Sequence, residues 1–233
     1  MSPSTAQPVT IEVDDTHRVS GLLLMPSQAR ACFVLAHGAG AGMTHPFMEA
    51  VATELGARGV ATLRYQFPYM ERGSKRPDPP SLAHAAVRAA VAATTRLAPG
   101  LPLIAGGKSF GGRMTSQAQA ASPLPGVQGL AFLGFPLHPA GRPADERGTH
   151  LSAIQLPMLF LQGERDKLAD RQLLDRLIER LGARATLRLL PDADHSFHMP
   201  VRTGRTDTEG RIELLEALVS WIASAVSRPA ETH

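Results

Sequence analysis

The sequence predicts an α/β fold in which one mostly parallel sheet is covered by helices on both faces. Short apolar runs alternate with segments of helical spacing along most of the 233 residues, the order expected when each strand is followed by a crossover helix. The run Ala31–Ala36 is apolar at consecutive rather than alternate positions, as suits a strand buried on both faces. Hydrophobic residues make up 43% of the chain and charged residues 19%, enough apolar surface for a large core. The length fits one such sheet with its helices. A single domain over residues 1–233 is therefore expected, with loose ends at 1–8 and 228–233.

The elements follow in order. Residues 9–13 and 19–25 read as strands around the polar turn Asp14-Asp15-Thr16-His17, an opening antiparallel hairpin. Ala31–Ala36 ends at His37-Gly38. In 45–58 the apolar residues Phe47, Met48, Val51, Ala52 and Leu55 recur at helical spacing, and Gly59 closes the segment. The alternation continues with strand Val60–Tyr65, helix 81–97, strand 101–105, helix Phe110–Ala121 and strand Val127–Leu133. Strand 158–161, helix 168–181, strand 186–190 and a last helix over 212–226 complete it. Two stretches, 66–80 and 135–154, are rich in proline, glycine and arginine and read as irregular. Loops of that length inside a compact domain are usually functional or mobile. Active sites in such sheets lie beyond the carboxyl ends of the strands.

Composition excludes several classes of function. The net charge is only +3 and the basic residues are scattered among acidic ones, so no nucleic acid partner is expected. One cysteine, Cys32, leaves no intramolecular disulfide and no CxxC site, and its place in an apolar run marks it as a core residue. The segment 1–10 has neither a basic start nor an apolar run, and no stretch reaches the apolar length of a membrane helix. A cytoplasmic protein without a membrane partner is expected. No histidine pair has zinc-ligand spacing with a third ligand nearby, and neither a metal nor any other cofactor is expected. Gly106-Gly107-Lys108-Ser109 fails as a phosphate loop because its first glycine position is Pro102. Gly38-Ala39-Gly40 fails as a dinucleotide fingerprint because its third glycine position is Met43.

The strongest chemical signal is Gly107-Lys108-Ser109-Phe110-Gly111, a G-x-S-x-G pattern between an expected strand and an expected helix. A serine at the apex of so sharp a turn is backbone-strained, and glycines two positions either side let the arms approach. The start of a helix also directs N–H groups toward a developing oxyanion. A serine hydroxyl needs a base and an orienting acid, in the order serine, acid, histidine. Asp166 follows the strand 158–161 and His195 follows the strand 186–190, so all three candidates fall on one edge of the sheet. Glu164, Asp192 and Asp194 remain alternatives for the acid, and His198 for the base. Backbone N–H groups of Phe110 and Ala39, the latter in the glycine-rich 37–42 loop, are the expected oxyanion donors.

These residues are where a resemblance appears. The chain resembles the α/β-hydrolase superfamily over nearly everything after Ala31. More narrowly, it is similar to small dienelactone-hydrolase-like proteins, including relatives of the hydrolase-like domain of a chromatin acetyltransferase complex subunit. Phe67-Pro68-Tyr69-Met70-Glu71 and Phe135-Pro136-Leu137-His138-Pro139 look like the narrower group's loop patterns. The resemblance implies an α/β-hydrolase fold, a Ser-His-Asp triad and hydrolytic chemistry. Dienelactone hydrolases proper carry cysteine where this chain has Ser109.

The 135–156 stretch is too short for a lid domain, which predicts an open, shallow pocket for a small-molecule ester or thioester. Gly40, Tyr69, Met70, Lys108, Arg113 and His138 are the candidate pocket residues, with Lys108 and Arg113 able to attract an anionic group. His37 is expected to pack beneath the glycine loop, while His45 and His150 are pocket or surface residues. The alternative to an enzyme is a binding or scaffold protein on the same fold. Monomer and homodimer both remain open.

Overall fold

The computed structural model describes residues 5–227. Its sheet has eight strands in the order β1-β2-β4-β3-β5-β6-β7-β8. The hairpin of β1 (Gln7–Glu12) and β2 (Arg18–Leu24) is antiparallel, and its turn is closed by Asp14, whose carboxylate accepts the N–H groups of Thr16 and His17. β2 runs antiparallel to β4 (Val60–Tyr65), and β3 (Ala31–Ala36), β5 (Leu103–Lys108), β6 (Val127–Leu133), β7 (Met158–Gly163) and β8 (Ala185–Leu190) continue in parallel.

Alternate residues of β3 serve opposite faces. Cys32, Val34 and Ala36 join a cluster with α3 (Pro80–Leu97), α4 (Phe110–Ala121) and α5 (Arg171–Leu181). Ala31, Phe33 and Leu35 join another with α1 (Pro46–Ala57) and α6 (Asp207–Val226). Every residue of β3 and β4 is buried, so their apolar runs reflect helices on both sides. Cys32 sits in this core, and burial pushes its thiol up to about 12.

Several boundaries differ from expectation for identifiable reasons. β5 runs on through Gly106 and Gly107 to Lys108 rather than ending at 105. Glycine is a poor strand former, but a Cβ at 106 would stand 1.8 Å from the Ala131 carbonyl oxygen, and one at 107 would stand 2.2 Å from that of Ala36. No other residue fits between these neighbours. α6 begins at Asp207 rather than 212, because Thr206 and Glu209 form a capping box ahead of the apolar face. α5 begins at Arg171 rather than 168, with the Asp170 side chain accepting the Leu173 N–H.

The stretches expected to be irregular are ordered locally. The first contains α2 (Pro68–Glu71) and the second a 3-10 helix, Glu146–Ala153. The expected loose end at 1–8 is a strand from Gln7 onward; residues 1–4 and 228–233 lie outside the described residues. Among the described residues no helix is long and apolar enough to cross a membrane.

Candidate active site

β5 delivers Ser109 to the carboxyl edge of the sheet and α4 starts immediately after it. The serine has φ 50° and ψ −114°, a left-handed conformation that costs a non-glycine residue about 1–3 kcal/mol. Close approach around it explains the conformation: a Cβ at Gly111 would lie 2.5 Å from the His37 carbonyl oxygen. The Ser109 N–H donates to the Leu133 carbonyl at 3.1 Å, which ties the turn to the end of β6.

The loops after β7 and β8 converge on this serine. Ser109 Oγ lies 2.8 Å from His195 Nε2, and His195 Nδ1 lies 2.6 Å from Asp166 Oδ2. Asp166 is buried, and both of its oxygens are engaged. Gln162 Nε2 donates to Oδ2 and the Leu168 N–H donates to Oδ1 at 2.7 Å. Gln162 is itself fixed, since its Oε1 accepts the Phe135 N–H at 2.8 Å. This glutamine, at the buried end of β7, is the supporting residue that sequence reasoning missed. Its signal was a polar side chain inside an otherwise apolar strand.

The alternatives for acid and base are occupied elsewhere. His198 pairs with Asp207 at 3.0 Å, which raises its pKa, the hydrogen bond being the larger cause and the carboxylate's charge the next. Asp192 pairs with Arg202, and Asp194 caps the turn by accepting the N–H groups of Ser196 and His198. Glu164 Oε2 lies 3.4 Å from the Asp192 N–H.

Lys108 is placed differently from the expectation of an anion-attracting pocket residue. Its ammonium donates to the His195 carbonyl at 2.6 Å and stands 5.1 Å from the centre of the Phe197 ring. It therefore lies beneath the histidine loop, and a Cβ at Gly134 would come within 2.9 Å of Nζ. Burial pulls the Lys108 pKa down to about 8, against the opposing pull of Asp166 and Asp194. Phe197, at φ 65°, stacks on Phe47 and closes the loop from the other side.

The glycine loop after β3 approaches the serine closely. A Cβ at Gly38 would be 3.9 Å from Ser109 Cβ, whereas one at Gly40 would meet nothing within 4 Å. Gly40 thus borders open space. The Ala39 carbonyl accepts the Tyr69 hydroxyl at 2.9 Å. Tyr69 is buried, its N–H donates to Asp78 at 2.6 Å, and its ring meets those of Phe67 and Phe110. It braces the loop instead of facing a pocket, and burial raises its phenol to about 12.

His37 carries the structural role expected of it. Its Nε2 accepts the Phe67 N–H at 3.0 Å, so Nδ1 holds the proton directed to the Gly38 carbonyl. Burial lowers its pKa to about 4, which keeps it neutral.

His138, a pocket candidate, is buried in the wall of a surface cavity that it shares with Asp166 and Asp170, and it braces the backbone there. Its Nε2 accepts the Asp170 N–H at 2.7 Å, so its Nδ1 donates to the Pro139 carbonyl at 2.9 Å. Met70 is half-buried at the edge of the core. His45 caps α1, and His150 bonds to Ser116. Phe110 lies between Tyr69 and Arg113.

Asp166, His195 and Ser109 thus form one hydrogen-bonded line at the carboxyl edge of the eight-stranded sheet, with the serine on a strained elbow. A family profile described as an alpha/beta hydrolase domain matches residues 29–223. The chain belongs to the α/β-hydrolase family. Solved structures of this fold cover almost its whole length. A dienelactone hydrolase from Anabaena variabilis is 21% identical with a TM-score of 0.76, covering 96% of this chain and 99% of its own. A lidless α/β serine hydrolase from Xanthomonas campestris is 21% identical with a TM-score of 0.72, covering 98% and 99%. The esterase domain of a Rhodothermus marinus protein is 18% identical with a TM-score of 0.71, covering 93% and 97%. Among the described residues this α/β hydrolase has no separate lid domain.

Proposed function

We propose that the chain is a single-domain cytoplasmic serine hydrolase that cleaves small carboxylic esters or thioesters through an acyl-enzyme. The observation that carries the reading is the unbroken hydrogen-bonded path from Asp166 through His195 to Ser109, at 2.6 and 2.8 Å, ending on a serine at φ 50°. His195 Nε2 takes the hydroxyl proton as Oγ attacks the carbonyl carbon. Asp166 accepts from Nδ1, which fixes the tautomer and stabilises the imidazolium. The N–H groups of Phe110 and Ala39 hold the tetrahedral oxyanion. The C–O or C–S bond then breaks, and the leaving group takes the proton back from His195. Water, deprotonated by the same histidine, attacks the acyl-enzyme and releases the acid and free Ser109.

Among the described residues no lid domain covers Ser109 and Gly40 borders open space, which favours short acyl groups over long lipids. The test is labelling with a fluorophosphonate probe. Modification at Ser109, abolished in Ser109→Ala and in His195→Ala, is the expected result. Folded wild-type protein that stays unlabelled would turn the reading to a binding or scaffold protein.

A further inference from the structure

Ser109 has two chain neighbours with different surroundings. Lys108 lies under the histidine loop, while Phe110 packs on Phe67 and Tyr69 and carries Arg113 on its ring, with the guanidinium carbon 5.9 Å from the ring centre. Arg113 is one helical turn beyond the serine, its N–H bonded to the Ser109 carbonyl at 3.1 Å. Its Nε is buried and has no hydrogen-bond partner. Among the described residues no carboxylate forms an ion pair with this guanidinium.

The charge that acts on Arg113 from a neighbouring side chain is a positive one, that of Arg147. Positions 113, 116 and 117 share one face of α4 by helical spacing. Ser116 Oγ meets His150 Nε2 of the 3-10 helix at 2.8 Å, and Gln117 Oε1 meets His84 Nε2 of α3 at 3.3 Å. Arg113 therefore stands between α3 and the 3-10 helix. Arg147, three residues before His150, projects from the same side of that 3-10 helix. Burial lowers the pKa of Arg113, and the nearby Arg147 charge lowers it further. His150 is pulled down to about 4 by burial and then by Arg113 and His84, so it adds no charge at neutral pH. A half-desolvated guanidinium beside a second one and without a counter-ion is unfavourable until an anion fills the place.

We infer that Arg113, assisted by Arg147, binds a carboxylate carried on the acyl half of the substrate, so that the preferred substrate is a monoester or monothioester of a dicarboxylic acid. The inference deepens the hydrolase reading and rests on it for the word substrate. The leaving group must face His195, which protonates it, so the part of the molecule that passes Phe110 toward Arg113 is the acyl chain. A planar guanidinium pairs with a carboxylate through two parallel hydrogen bonds.

The test separates binding from turnover. Ser109→Ala protein is titrated calorimetrically with the mono-4-nitrophenyl ester of adipic acid and with 4-nitrophenyl hexanoate, which has the same length and leaving group but no carboxylate. The anionic ester is expected to bind about tenfold or more tightly, the scale of a charge-assisted hydrogen bond. That advantage should disappear with Arg113→Met added, shrink with Arg147→Met, and survive in part with Arg113→Lys. In protein that retains Ser109, the ratio of kcat/KM for the two esters should fall by a similar factor on Arg113→Met. Equal binding of the two esters, no binding of either, or an advantage that survives Arg113→Met in folded protein would overturn the inference. Charge-selective binding without turnover would uphold the site and sink the hydrolase reading instead.

Discussion

Replacing Lys108 with methionine should uncouple the histidine loop from the elbow and change how stability depends on pH. The ammonium is held at about 8 by burial, against an ordinary value of 10.5. At ~1.4 kcal/mol per pH unit, that interval makes the charged lysine about 3 kcal/mol less favourable in the folded than in the unfolded chain. The unfolded chain binds this proton more tightly, so the penalty is complete below pH 8. It is relieved as pH rises from 8 to 10.5, where the unfolded lysine also loses its proton. Methionine has no such term. Urea unfolding of wild type and Lys108→Met at intervals from pH 7 to 10.5 should therefore show the difference moving by about 3 kcal/mol in favour of wild type. The methionine variant also loses the donor to the His195 carbonyl, so kcat should fall at every pH. The wild type's decline in kcat as its lysine neutralises near pH 8 should be missing from the variant. Stability curves that stay parallel across this window would refute the claim that burial holds this ammonium near 8.

Three other perturbations report on separate parts of the account. Asp166→Asn should lower kcat about 10³- to 10⁴-fold with little change in KM, because the amide no longer imposes the productive tautomer; steady-state kinetics on a short ester checks this. Gln162→Leu removes a donor to Asp166 and the acceptor for the Phe135 N–H, and should cost about 1–3 kcal/mol in urea unfolding together with a fall in kcat. Thr206→Ala breaks the capping box of α6 and should cost ~1 kcal/mol of stability while kcat/KM stays at the wild-type value.

Much of this arrangement can be read from the chain because local and global signals agree. β3 and β4 are apolar at most positions because helices cover both faces of the sheet, and that burial pattern is visible in the letters. Ser109, Asp166 and His195 are recognisable because each follows a strand and the order of their types matches the chemistry. What escapes is set by contacts distant in sequence. Nothing near Lys108 shows that its ammonium reaches a carbonyl in the loop after β8, or that Tyr69 and His138 turn inward to brace backbone groups. Gly106 and Gly107 hide the end of β5, since the need for glycine comes from the Ala36 and Ala131 carbonyls on neighbouring strands. The first turn of α6 is too polar for an apolar period to reveal, although Thr206 and Glu209 carried the capping signal at the right spacing.

The most direct test of the central claim is to trap the acyl-enzyme. The protein is mixed with excess 4-nitrophenyl acetate, quenched in acid within the first turnover, and mapped by peptide mass spectrometry. The account predicts a burst of nitrophenol matched by one acetyl group on the peptide that contains Ser109, with no acetylated peptide and no burst in Ser109→Ala. Turnover at the wild-type rate in Ser109→Ala, or acetyl found only on lysines in the wild type, would contradict it.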